Sequence, residues 1–145
     1  MPLLDYFIAS DDADAARVLP GSGGPTSLGF DTLSTKGIDP AITMGTLESI
    51  ITDRSYDEVT AAPRHCHPLT DTDADAFVVT VTDALRDAVA AADDQHLRQV
   101  AQRWADTDEL AGVTPEDLVQ LLDRFAVLAR DAVDRGHHMY CWWAL

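Results

Sequence analysis

Lysine is nearly missing from this chain. Lys36 is the only one, and ten lysines and arginines face 25 aspartates and glutamates, a formal net charge of -15 on 145 residues. Such a surface repels nucleic-acid phosphate and anionic lipid, so nucleic acid and membrane are excluded as expected partners. Cysteine is also scarce. Cys66 and Cys141 are the whole set, too few for a disulfide framework. Reduced thiols in a cytoplasmic protein are the expectation, with a single bridge between the two left open. No stretch approaches the roughly 20 apolar residues that span a bilayer. The apolar run Leu3, Leu4, Tyr6, Phe7, Ile8 is broken by Asp5 and has no basic flank, which argues against a secretory signal.

Motifs of catalysis are missing too. There is no Gly-x-Ser-x-Gly. The glycine-rich stretch Gly21-Ser22-Gly23-Gly24 lacks the Lys-Ser/Thr of a phosphate loop and reads as a flexible link. The alternating Asp71, Asp73 and Asp75 resemble the start of a calcium loop, but its glycine and closing glutamate are absent.

What is present is the pattern of one folded domain. The hydrophobic fraction is 46%, and it is periodic, which separates this acidic chain from a disordered one. Residues 3–9 read as a strand, and Ser10 can cap a short helix after it. Pro20 to Pro25 reads as loop, within a flexible segment of about 20–27, and Leu28 to Thr35 as a second strand anchored by Phe30 and Leu33. Asp39-Pro40 starts a helix, with Asp as the cap and Pro in the first turn. Ser55 and Glu58 form a capping box for another, and 63–75 reads as loop. Phe77 to Val81 is β-branched and aromatic, hence a strand.

Two amphipathic stripes follow: Leu85, Ala88, Val89, Ala92, then Leu97, Val100, Ala101, Trp104, separated by Asp93-Asp94. They predict a helical hairpin, with Trp104 in the core. Thr114-Pro115-Glu116-Asp117 opens the strongest helix, carried by Leu118, Leu121, Leu122, Phe125, Leu128, Ala129 and Val133 and stopped by Gly136. Met139 to Leu145 reads as a final strand, too aromatic to be left in water. The expected fold is α+β: one domain over 1–145, a three- to four-stranded sheet, helices packed mainly on one face.

The C-terminal half resembles a family of small acidic proteins of high-GC bacteria with no assigned activity. The likeness rests on Val79-Thr80-Val81-Thr82-Asp83-Ala84-Leu85-Arg86, on Trp104 with Thr107 and Glu109, on the helix Leu118 to Arg135, and on Tyr140-Cys141-Trp142-Trp143. It extends less fully to Lys36-Gly37-Ile38-Asp39-Pro40. Similar proteins often sit among immunity or toxin-inhibitor genes, so the resemblance implies an inhibitor-like role. It carries over no catalytic residue.

Three functional readings follow. In the first, the chain is a non-enzymatic module that binds a basic protein through an acidic surface, as an immunity protein would. Its candidate patches are Asp11, Asp12 and Asp14, then Asp71, Asp73 and Asp75, then Asp93 and Asp94. In the second, His65-Cys66-His67 and His137 with Cys141 form a metal or thiol site. Imidazole and thiolate suit zinc, although neither group has a zinc-site spacing, and the motifs call for no other cofactor. Alternation along a strand pairs His137, not His138, with Cys141. In the third, the aromatic last strand pairs with that of a second copy, giving a homodimer.

Overall fold

The computed structural model describes residues 2–145. Four strands, β1 (Leu3–Ala9), β2 (Thr32–Lys36), β3 (Ala76–Thr80) and β4 (His138–Ala144), form one antiparallel sheet in the order β2-β1-β4-β3. The helices are α1 (Asp12–Ala15), α2 (Ile42–Thr52), α3 (Tyr56–Thr60), α4 (Asp83–Ala91), α5 (Asp94–Ala105) and α6 (Pro115–Arg135). The α+β class expected from periodicity is the fold observed.

Strand alternation sorts the sheet into two faces. Leu4, Tyr6 and Ile8 of β1, Leu33 of β2, Val79 of β3, and Met139 and Cys141 of β4 join a core with Leu47 of α2, Leu85 and Val89 of α4, Trp104 of α5, and Leu122 and Phe125 of α6. Phe7, Ala9, Val78, Tyr140 and Trp142 point the other way, into a smaller core with Ala15, Val18 and Phe30. The larger helices thus pack on one face, and α1 with the segment after it shields the second. Trp104 is fully buried, and its indole N–H donates to the Thr43 carbonyl at 3.1 Å.

Helix starts follow the capping chemistry. Asp11, Ser55, Thr82, Asp93 and Thr114 each accept a backbone N–H from the first turn of the helix they precede. Asp39 gathers the amides of Ala41, Ile42 and Thr43 and the Thr43 hydroxyl, so it caps α2 from just outside. Gly136 takes the left-handed conformation that ends α6.

Several sequence expectations change: α1 is capped by Asp11 rather than Ser10, and Pro40 lies just before α2, which starts at Ile42, rather than in its first turn. The second strand begins at Thr32 rather than Leu28, because Pro25–Leu28 forms a 3-10 turn held between Gly24 and Gly29, both at positive φ. The segment read as a link is therefore partly helical. The last strand offers no free edge for a second copy either. β4 is paired along its length with β1 and with β3, so the self-association expected through it would require breaking the sheet.

Candidate functional site

The end of the sheet where β1 finishes and β4 begins carries a polar cleft of about 490 Å³, lined by Asp11, Asp12, Ala13, Arg64, Asp83 and His138. The topology assembles it from four distant parts of the chain. Ala9 pairs with His138, and α1 starts directly after β1, so Asp12 lands beside β4. β3 runs antiparallel to β4, so Thr82 and Asp83 arrive at the same end. Arg64 is delivered by a loop that Thr80 ties to β3. The Thr80 hydroxyl donates to the Arg64 carbonyl and accepts from the His67 amide, and the Thr80 amide donates to the His67 carbonyl.

Asp12 is held from two sides. Arg64 donates Nη1 to Oδ2 at 2.8 Å and Nη2 to Oδ1 at 2.9 Å, the bidentate fork that guanidinium and carboxylate geometry favours. The Tyr140 hydroxyl donates to Oδ1 at 2.8 Å. Arg64 foremost, with Tyr140 adding to it, lowers the Asp12 carboxyl from 3.8 to about 2. Burial, then the Asp12 carboxylate, push the Tyr140 phenol upward, so it stays a donor at neutral pH. Beside this pair, His138 Nδ1 lies 2.8 Å from Asp83 Oδ1, and Arg86 Nη1 lies 3.4 Å from the same oxygen. Arg86 is anchored in turn by donating to the His137 carbonyl at 2.7 Å.

The eight acidic residues singled out in the sequence do not form one patch. Asp11 and Asp12 line the cleft, and Asp14 stands next to them, paired with Arg17 at 2.7 Å. Asp71, Asp73 and Asp75 precede β3 at the opposite end of the sheet, where Ala76 pairs with Ala144 and Ala144 with Leu3. Several have local work: Asp11 caps α1, Asp93 caps α5, and Asp71 accepts the Asp73 amide. Asp83, Arg64, His138 and Tyr140 were missed. Each is joined to its partner across more than fifty residues, and no local spacing announces such a pair.

The His/Cys donors are dispersed. Among the described residues, no three His, Cys, Asp or Glu side chains stand together as a metal would need. His137 precedes β4 and belongs to the turn that ends α6, its amide donating to the Ala132 carbonyl. Cys141 is buried on the helix-covered face, and burial drives its thiol far upward. Cys66 is half-buried with His65 beside Glu48, around a void of about 10 Å³, room for roughly one water. Burial, then Asp39, push the Cys66 thiol up to about 11, the opposite of what a nucleophilic thiolate needs. Both cysteines are free.

Comparison with protein-family models, curated proteins and solved structures finds no match for this chain. No helix of the described residues is long and apolar enough to cross a membrane.

Proposed function

We propose that this chain is a non-enzymatic binding module of the inhibitor or immunity type, which engages a basic protein through the acidic cleft at the β1–β4 end. One observation carries the reading. The Asp12 and Asp83 carboxylates, with Asp11 alongside, are held in fixed positions by Arg64, Tyr140, His138 and Arg86. Carboxylates fixed before binding lose little freedom when a partner's guanidinium or ammonium arrives. The net charge of -15 would speed encounter with such a partner and make association sensitive to salt. A cytoplasmic setting suits two free thiols.

The test is capture of partners from native lysate at low salt, on immobilised chain, with a salt gradient for elution. A stoichiometric basic protein that is lost from the Asp11→Asn/Asp83→Asn variant, but kept by Asp73→Asn/Asp75→Asn, is the expected result. Equal loss from both variants, or no partner, would refute the assignment.

A second reading rests on the His138–Asp83 pair. A carboxylate on Nδ1 orients the ring and leaves Nε2 for proton transfer, the arrangement of a general base. Under that reading His138→Gln abolishes a turnover. Under the binding reading there is no turnover to lose, and the substitution loosens Asp83 and weakens capture of the basic partner.

A further inference from the structure

The two edges of the sheet are treated differently. The outer edge of β3 is closed by the preceding loop. The Leu69 amide donates to the Val78 carbonyl, the Thr80 amide to the His67 carbonyl, and the Val78 amide to the Thr70 hydroxyl, with Pro68 bridged to Val79. The outer edge of β2 is not covered. Among the described residues, no main-chain segment pairs with it beyond β1. Open edges of this kind invite another strand unless something blocks them.

A groove of about 580 Å³ runs between that edge and α6. Its middle is apolar: Leu33 and Leu128 line it, and Val127 is 66% exposed beside them. Its ends are charged with opposite sign. Arg124, at the middle of α6, stands at one end of the groove and has no carboxylate partner among the described residues. Asp131 lies toward the other end, 3.5 Å from Arg135, which also reaches Asp31 at 3.2 Å.

We propose that a second copy of this chain occupies this groove. The two β2 strands pair antiparallel about a twofold axis, and the α6 helices run antiparallel beside them. The charge pattern selects this occupant. A twofold axis near Val127 sets Arg124 of each copy toward Asp131 of the other, so an unpaired cation meets an anion twice over. Centring on Ser34 sets Lys36, at the end of the strand, opposite Thr32 of the second copy and away from its Lys36. The groove mixes both signs, Asp31 and Asp131 against Arg124, and a second copy brings the same mixture in reverse order. Pairing joins two four-stranded sheets into one and covers Val127. This interface lies on β2, not on the last strand, and it leaves the acidic cleft open.

Sedimentation equilibrium of the full chain at physiological salt tests this. At that salt the repulsion between two acidic copies is screened beyond about 8 Å. The expected result is a concentration-dependent species of twice the chain mass. Arg124→Asp should weaken the dimer about tenfold or more, since it sets like charges against each other. Arg124→Asp/Asp131→Arg should restore it, because the swap regenerates opposite pairs. Circular dichroism confirms that each variant is folded. A monomer at every concentration overturns the proposal. So does a dimer that Arg124→Asp leaves intact, or one that the double swap fails to recover.

Discussion

Gly24→Ala probes whether the segment after α1 is clamped onto the second face of the sheet. Gly24 sits at φ 86° and ψ -174°, a region open almost only to glycine. Forcing a side chain there costs about 1–3 kcal/mol. An added Cβ would also stand 2.9 Å from Trp142 Cζ3 and 3.1 Å from Cε3. Trp142 is itself buried in the smaller core, so its ring cannot simply swing away. Overpacking of this kind costs about 1–3 kcal/mol more. The sum is about 2–6 kcal/mol, which moves a urea midpoint by roughly 1–3 M at an m of about 2 kcal/mol/M.

Gly21→Ala is the control. Gly21 also has positive φ, 78°, but an added Cβ would meet no atom within 4 Å. It should show only a backbone cost of about 1–2 kcal/mol. The measurement is paired urea unfolding of both variants, followed by tryptophan fluorescence and far-ultraviolet circular dichroism. Equal midpoint shifts for the two would refute the reasoning, because only the Gly24 substitution meets Trp142.

Four further outcomes follow from the structure. Asp12 has a folded-state pKa below its ordinary value, so its contribution is present above pH about 4 and is lost as pH falls toward about 2. Asp12→Asn should flatten that part of the stability profile. At neutral pH it should cost only about 0.5–1 kcal/mol, since both partners are partly exposed and solvent screens the pair. Asp5 carries the opposite sign. Burial raises its carboxyl, so its charged form opposes folding, and Asp5→Asn should raise the unfolding midpoint at pH 7. Trp104→Phe keeps most of the buried volume but removes the donor to Thr43, and about 1–3 kcal/mol of stability should go with it in chemical denaturation. Thiol labelling of the native protein at pH 7 should be slow at both cysteines and become fast in denaturant. Rapid native labelling of Cys66 would contradict its thiol's raised position.

Much of the helical framework was legible because its determinants are local. Caps such as Thr114 and Ser55, and the stripe from Leu97 to Trp104, act within one or two turns, and those helices form where they point. The strands from Leu3 and from His138 were legible from apolar and aromatic content. Their order was not, because register depends on which strands meet, and β4 joins β1 from the far end of the described chain. Leu28 to Asp31 reads as strand from the anchors Phe30 and Leu33, but the 3-10 turn at Pro25–Leu28 and the positive φ of Gly29 delay the strand to Thr32. The cleft was the least legible part. Asp12, Arg64, Asp83, His138 and Tyr140 share no motif, and only closure of the sheet brings them together. The repeated aspartates drew attention instead, and several turn out to cap helices or turns.

The place of β4 in the sheet has a consequence for how the molecule is built. β1 and β2 are neighbours both in chain order and in space, so they can associate early. β3 has no strand partner until β4 arrives. β4 must then enter between two strands and satisfy both at once, closing a loop that spans nearly the whole described chain. Closure over such a distance delays the reward for pairing, and chains of this topology fold slowly. Until it happens, β1 and β3 each present an unpaired apolar edge, the state most exposed to aggregation. The Tyr-Cys-Trp-Trp strand therefore acts as the wedge that completes the fold, and a nascent chain lacking it would depend on chaperones to stay soluble.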